Sequence, residues 1–199
     1  FSSGRNTLDL KMKPDTMKRT RALGFRVISQ IDLPPGRYTL RIGASEANTK
    51  KAGPLSYDLE VPKFDEEPLI MSSLALTSAA SSIAPTARSK DPLEKLLPGP
   101  LASYRDFPQG DEMAVFAEVY DNSGSQPHKV DISATVKAEG GQTVFQTREE
   151  RDSSELKGSS GGYGFLARIP LKDIQPGLYV LRVEAQSRLG DPPVAAPET

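Results

Sequence analysis

Cysteine is absent from the chain, which removes disulfides, thiol catalysis and thiolate metal sites together. It leaves the compartment open. Tryptophan is absent as well, which weakens a carbohydrate-stacking platform, although tyrosine can substitute. There is one histidine, His128, so a Ser-His-Asp arrangement would have to use it. An excess of one charge is also missing. Lys and Arg number 25 against 26 Asp and Glu, a net charge of −1, so no long-range field marks nucleic acid or an anionic membrane as a partner. No apolar run approaches the length of about 18 residues needed to span a bilayer as a helix, and membrane insertion is not expected. The opening residues, Phe1 to Arg5, lack the basic-then-apolar order of a signal peptide and read as a cut made inside a longer protein.

What the chain does have is one stretch written twice. Pro35-Gly36-x-Tyr38-x-Leu40-Arg41-Ile42-x-Ala44 falls on Pro176-Gly177-x-Tyr179-x-Leu181-Arg182-Val183-x-Ala185. Proline fixes φ, glycine accepts a positive φ, and Tyr38, Leu40, Ile42 and Ala44 put apolar groups on one face at a period of two. Arg37, Thr39 and Arg41 make the other face polar. A tyrosine just after a tight turn and opening an alternating strand is the trace of a tyrosine corner, whose hydroxyl bonds to backbone upstream in an Ig-like sandwich. The chain is therefore expected to be two copies of one unit.

Taken in order, residues 5–12 alternate Leu8, Leu10 and Met12 and predict a strand, and Pro14 to Leu23 with Gly24 behind them predict one short helix. Residues 25–33 predict the strand before the first Pro-Gly turn, and 55–61 a hairpin partner for the tyrosine strand. Residues 69–77 either close this unit or begin the next. From 78 to 110 the text turns to Ala, Ser and Pro, an inter-domain connection with one helical turn at 91–97, pinned against a sandwich through Leu93, Leu96, Leu97, Tyr104 and Phe107. Strands follow at 112–121, 128–138, 143–149 and 163–169 before the second tyrosine strand. The expected fold class is all-β: two Ig-like or fibronectin-III-like antiparallel sandwiches in tandem, 1–77 and 111–199, with 78–110 as linker. The first is expected to lack its opening strands.

Candidate chemistry is sparse. His128 lies on the inward side of an alternating strand, which favours an ordinary strand-end residue over a catalytic one. The carboxylates Asp65-Glu66-Glu67, and Glu149-Glu150 with Asp152, are adjacent in sequence, but a hard cation needs several oxygens converging. The glycines Gly158, Gly161, Gly162 and Gly164 are followed by a strand and no G-K-[ST], so they read as a loop rather than a phosphate cradle. Lys11, Lys13, Lys18, Arg19 and Arg21 form a modest basic cluster without aromatics, read as a solvated face. No catalytic, cofactor-binding or metal-ligating residue is assigned. The structural residues are the corners, Tyr38, Tyr179, Gly36 and Gly177. One anomaly remains: Leu178 and Val180 occupy places that are polar in the first copy, and Phe116 and Tyr120 lie opposite the inward Val115, Ala117 and Val119. Bare, these four would form a partner patch; the preferred reading is that the linker covers them.

The segments L-P-P-G-R-Y-T-L-R-I, L-S-Y-D-L-E-V-P-K-F at 55–64, L-P-G-P at 97–100, A-E-V-Y-D-N at 117–122 and G-L-Y-V-L-R-V-E-A-Q-S-R-L-G at 177–190 resemble the C-terminal half of acidobacterial VWFA-related domain proteins. The resemblance covers nearly all of the chain. It implies an exported protein in which a von Willebrand factor A-like domain lies upstream of sandwich repeats, hence an extracytoplasmic location. The adhesion motif D-x-S-x-S of A domains has no match here, so no metal ligands carry over. The chain also stops before the final strand that the resemblance implies. The expected function is a non-catalytic structural or protein-binding tandem, without cofactor, whose partner is a protein or the upstream A domain. The alternative is a strand-exchanging assembly module, completed as a homo-oligomer.

Overall fold

The computed structural model describes residues 4–5, 7–46, 50–87, 93–124, 126–156, 162–189 and, for the backbone alone, 194–195. Residues 1–3, 47–49, 88–92 and the glycines at 158 and 161 lie outside the described residues. The protein is all-β, with antiparallel sheets and one α-helix.

The helix α1 spans Pro14–Leu23, as its proline start and glycine stop predict. Gly24 takes φ 76°, a left-handed conformation open to glycine, and its N–H closes the last turn on the Thr20 carbonyl at 2.8 Å. No residue of α1 is buried. The strands on either side of it differ from expectation. Residues 7–12 form no strand, and of 25–33 only β1, Arg26–Val27, does so, in a short parallel pair with a later segment. Alternation marks a face, but a strand needs a neighbour to take its backbone bonds, and the described residues offer none there.

β2 (Gly36–Ser45) and β3 (Ala52–Val61) form a two-stranded hairpin in continuous register, Tyr38 opposite Leu59, Leu40 opposite Tyr57 and Ile42 opposite Leu55. β4 (Leu69–Met71) and β5 (Ala75–Ser78) then begin the sandwich: both pair with β7 (Glu112–Asp121). Between Met71 and Ala75 the chain takes four steps where β7 takes three, from Val119 to Phe116. This extra residue is a β-bulge, and it keeps Leu76 on the core face alongside Leu69 and Met71. The division expected after residue 77 therefore falls inside a sheet. β6 (Thr86–Ala87) is the parallel partner of β1.

Of the connection from 79 to 110, the stretch 97–102 lies along β5. Leu101 bridges to Thr77, the Ala102 N–H donates to the Leu76 carbonyl at 2.7 Å, and Leu97 is buried. The Pro100 carbonyl accepts from both Thr77 Oγ1 and Ser81 Oγ, at 2.8 and 2.9 Å, which explains the L-P-G-P segment as a clasp on the edge of β5. Asp111 closes the other end by accepting from the N–H groups of Ala79 and Ala80. Burial works against its charge. The donors from Ala80, Glu112, Ser78 and Ala79 together outweigh that effect and hold the carboxyl below its usual range.

One sheet has the order β10–β7–β4, with β5 also on β7, where β10 is Tyr163–Pro170. The other places β11 (Tyr179–Ser187) and β9 (Thr143–Asp152) on either side of β8 (Lys129–Ala138), with the short β12 (Val194–Ala195) beyond β11. Val115, Ala117, Val119, Phe165 and Ile169 of the first sheet meet Val130, Ile132, Ala134, Val183 and Ala185 of the second in one buried core. Among the described residues one sandwich is formed, with a hairpin and a helix before it. No described residue N-terminal to Leu69 is buried.

Candidate functional site

The repeated tyrosine strand appears in two environments. In both copies the corner is formed: Tyr179 Oη donates to the Gln175 carbonyl at 2.5 Å and Tyr38 Oη to the Pro34 carbonyl at 2.7 Å, each four residues upstream. Both tyrosines are half-buried. The glycines serve them differently from expectation. Gly36 has φ 151°, whereas Gly177 is not among the positive-φ residues. A β-carbon at either place would meet the tyrosine ring or its hydroxyl at 3.5 Å, so what the two share is the ring folded back over the turn.

Around the corner the copies diverge. β11 lies between β8 and β12, and Leu181, Val183 and Ala185 pack into the core. Among the described residues β2 has a neighbour on one side only. Its inward-type residues and those of β3 make an apolar face on which Ile42 is 51% exposed, Leu55 60% and Tyr57 61%. Two ten-residue strands with such a face and no facing sheet are marginal by themselves. What ties them to the sandwich is the segment after β3. Asn122 Nδ2 donates to the carbonyls of Phe64 and Glu67 at 2.7 and 2.8 Å, and the Phe64 ring packs on Tyr120 at 5.1 Å. A cavity of about 460 Å³ opens at this junction, between Pro35 to Arg37 and Glu60 to Glu67.

The four residues of the expected patch are not brought together. Phe116 and Tyr120 are on β7 in one sheet, whereas Leu178 and Val180 are at the start of β11 in the other. Phe116 is 5% exposed and lies over Gly164, where a β-carbon would come within 2.9 Å of its ring. Tyr120 is held by Phe64 and donates to Glu118 at 2.7 Å; burial, reinforced by that bond, pushes its hydroxyl up to about 12. Leu178 and Val180 stay bare, 81% and 65% exposed. The connection covers neither, since it runs along β5 on the other sheet, with Tyr104 against Phe107 and Phe107 on the core. Leu178→Asp and Val180→Asp are therefore expected to change stability by less than about 0.5 kcal/mol, read by chemical denaturation. A loss several times larger would mean that something covers them.

The remaining candidates sit in structural networks. His128 is buried with Asp121: Nε2 lies 2.7 Å from Asp121 Oδ2 and Nδ1 2.8 Å from the Gln126 carbonyl. The Nε2 contact is a close approach to the carboxylate without hydrogen-bond alignment, and it is shut away from solvent. Glu149, Glu150 and Asp152 alternate between faces. Glu149 pairs with Arg151, while Glu150 and Asp152 share Lys129. Glu66 pairs with Lys63 at 2.6 Å in an exposed loop, and among the described residues no three His, Asp or Glu side chains converge as metal ligands. The basic residues of α1 are exposed. Gly162 proved to be more than loop, because a β-carbon there would come 2.4 Å from the Val119 carbonyl oxygen.

Sequence reasoning missed Asp131. It is buried on the outer face of β8, gripped by Arg188 at 2.7 and 2.8 Å and by Arg148 at 2.6 Å. Hydrogen bonds from Arg188 and then Arg148 outweigh burial and draw its carboxyl down to about 2. With the folded value depressed, its contribution to stability is complete above the unfolded value of about 4 and is lost as pH falls through about 2. Asp131→Asn should flatten that acid limb, seen as a smaller loss of thermal midpoint between those two pH values.

Together these features define a β-sandwich protein with a strand-and-corner repeat and no assembled reactive centre among the described residues. Neither a protein-family model nor a curated protein matches the chain. Among solved structures it is similar to dimeric latent PorU from Porphyromonas gingivalis, at 15% identity and a TM-score of 0.32, over 84% of this chain and 12% of that one. The chain thus spans about an eighth of that structure's length, and a likeness so low carries no argument.

Proposed function

We propose that the chain is a non-catalytic, protein-binding tandem of Ig-like or fibronectin-III-like units from an exported, extracytoplasmic protein of the VWFA-related kind. The sandwich is the rigid unit, and the hairpin unit is the one that meets a protein partner or an upstream A domain. A single observation carries this reading: the same tyrosine strand has its apolar face packed in one copy and bare in the other. A non-catalytic role is supported by His128, whose side chain is shut away from solvent beside Asp121 with Nδ1 on the Gln126 carbonyl. The location rests on the resemblance of the segments around both tyrosine strands.

The second reading is strand exchange between copies, favoured by the free edge of β2. Light scattering over a wide range of protein concentration tests the choice. A monomer throughout is expected. A dimer that grows with concentration and is lost in Ile42→Asp would replace the binding module by an assembly module.

A further inference from the structure

The second unit shows what the tyrosine strand's surroundings look like when complete. In β8, Val136, Ala134 and Ile132 stand directly opposite Leu181, Val183 and Ala185 of β11. The repeat equates these with Leu40, Ile42 and Ala44 of β2. β3 follows β2 in the chain as β12 follows β11, so the edge of β2 without a strand is the one that answers to β8. The geometry points to that edge, with its apolar face, as the docking place for an extended segment of a partner protein having the chemistry of β8. Such a segment presents small or branched apolar side chains at alternate positions, with acidic or hydroxyl side chains like Asp131, Ser133 and Thr135 between the central ones and lysines towards the ends.

This inference rests on the binding-module reading and specifies its partner. Edge addition supplies backbone hydrogen bonds, while the alternate side chains supply selectivity. The apolar requirement comes from Leu40, Ile42, Leu55 and Tyr57, which share one face of the hairpin. The polar requirement comes from the other face, where Arg41 lines β2 beside Thr39 and Arg37, which meet Asp58 and Glu60 of β3. In the complete unit Arg182, at the place of Arg41, stands opposite the hydroxyl residue Thr135. A second copy of the chain fits worse. Two β2 strands paired antiparallel about Thr39 would set Arg37 of one against Arg41 of the other, like charges directly opposed. The sandwich also shows how an edge is closed to addition: β9 turns Glu149 and Arg151 to the same side as Ile132 and Val130. β2 turns Leu40 and Ile42 to the corresponding side.

The test is hydrogen–deuterium exchange of the whole chain with a synthetic peptide of sequence K-V-D-I-S-A-T-V-K-A, that of Lys129–Ala138, and with a scrambled version. The β8 peptide is expected to slow exchange within Gly36–Ser45 saturably, by about tenfold, and the scrambled peptide to leave it unchanged. Ile42→Asp should weaken binding by about tenfold or more, since docking would bury that side chain beside the added strand, and Leu55→Lys, one strand further away, by less. Both positions are more than half exposed in the free chain, so both variants retain the fold. Val180→Asp should bind as the parent does. Protection on another surface would overturn this docking place and leave the binding-module reading standing. Protection nowhere would overturn the inference. Protection of the same amides that rises with chain concentration, without peptide, would assign the edge to a second copy and overturn the proposed partner.

Discussion

His128→Ala is expected to lower the stability of the sandwich by about 3 kcal/mol, a fall in thermal midpoint of roughly 10 °C. The substitution leaves the Asp121 carboxylate buried without the imidazole beside Oδ2, while Oδ1 keeps the N–H of Ser123 at 2.7 Å. The cost of an unpaired buried charge exceeds the net worth of the pair. Asp121 also sits where β7 ends, and the next residue, Asn122, fastens the segment leading from the hairpin. Removing both partners should therefore cost less than the two single substitutions summed, by about 1 kcal/mol or more. A single variant within about 0.5 kcal/mol of the parent would mean that the pair is not held as described. Such a result would also free His128 for another role.

Phe165→Ala should cost about 3–5 kcal/mol, because the ring is 2% exposed between the two sheets and its loss leaves a cavity. The informative part is where the loss is felt. Amides of the sandwich strands should exchange faster in proportion to the lost stability. Those of Gly36–Ser45 should be unchanged, since no described residue before Leu69 is buried and the hairpin shares none of that core. Unfolding of sandwich and hairpin as one cooperative step, with amides of both accelerated equally, would contradict the two-unit description.

Much of the second unit was legible as text. The strand at 128–138 follows strict alternation, those at 112–121 and 163–169 follow it with exceptions at Phe116, Tyr120 and Leu166, and their inward residues are those that meet in the core. The short helix was legible from Pro14 and Gly24, and the hairpin from the unbroken alternation at 55–61. The partner patch was not legible. Phe116 and Leu178 both break a polar pattern, but alternation says only which side of its own strand a residue takes. It cannot say that the two strands belong to different sheets, or that Gly164 leaves room for the Phe116 ring. Asp131 was hidden for the same reason, because Arg148 and Arg188 reach it from strand and turn positions far along the chain.

By itself the sequence determined the all-β class, the doubled tyrosine corner and the inward face of nearly every sandwich strand, because these follow from turn chemistry and a period of two. Tertiary structure alone decided which strands pair beyond the β2–β3 hairpin, and hence that 69–78 belongs to the sandwich while β2, among the described residues, keeps an open edge. Pairing is a contest among all strands for backbone partners and core space, and residues that settle it lie far apart in sequence.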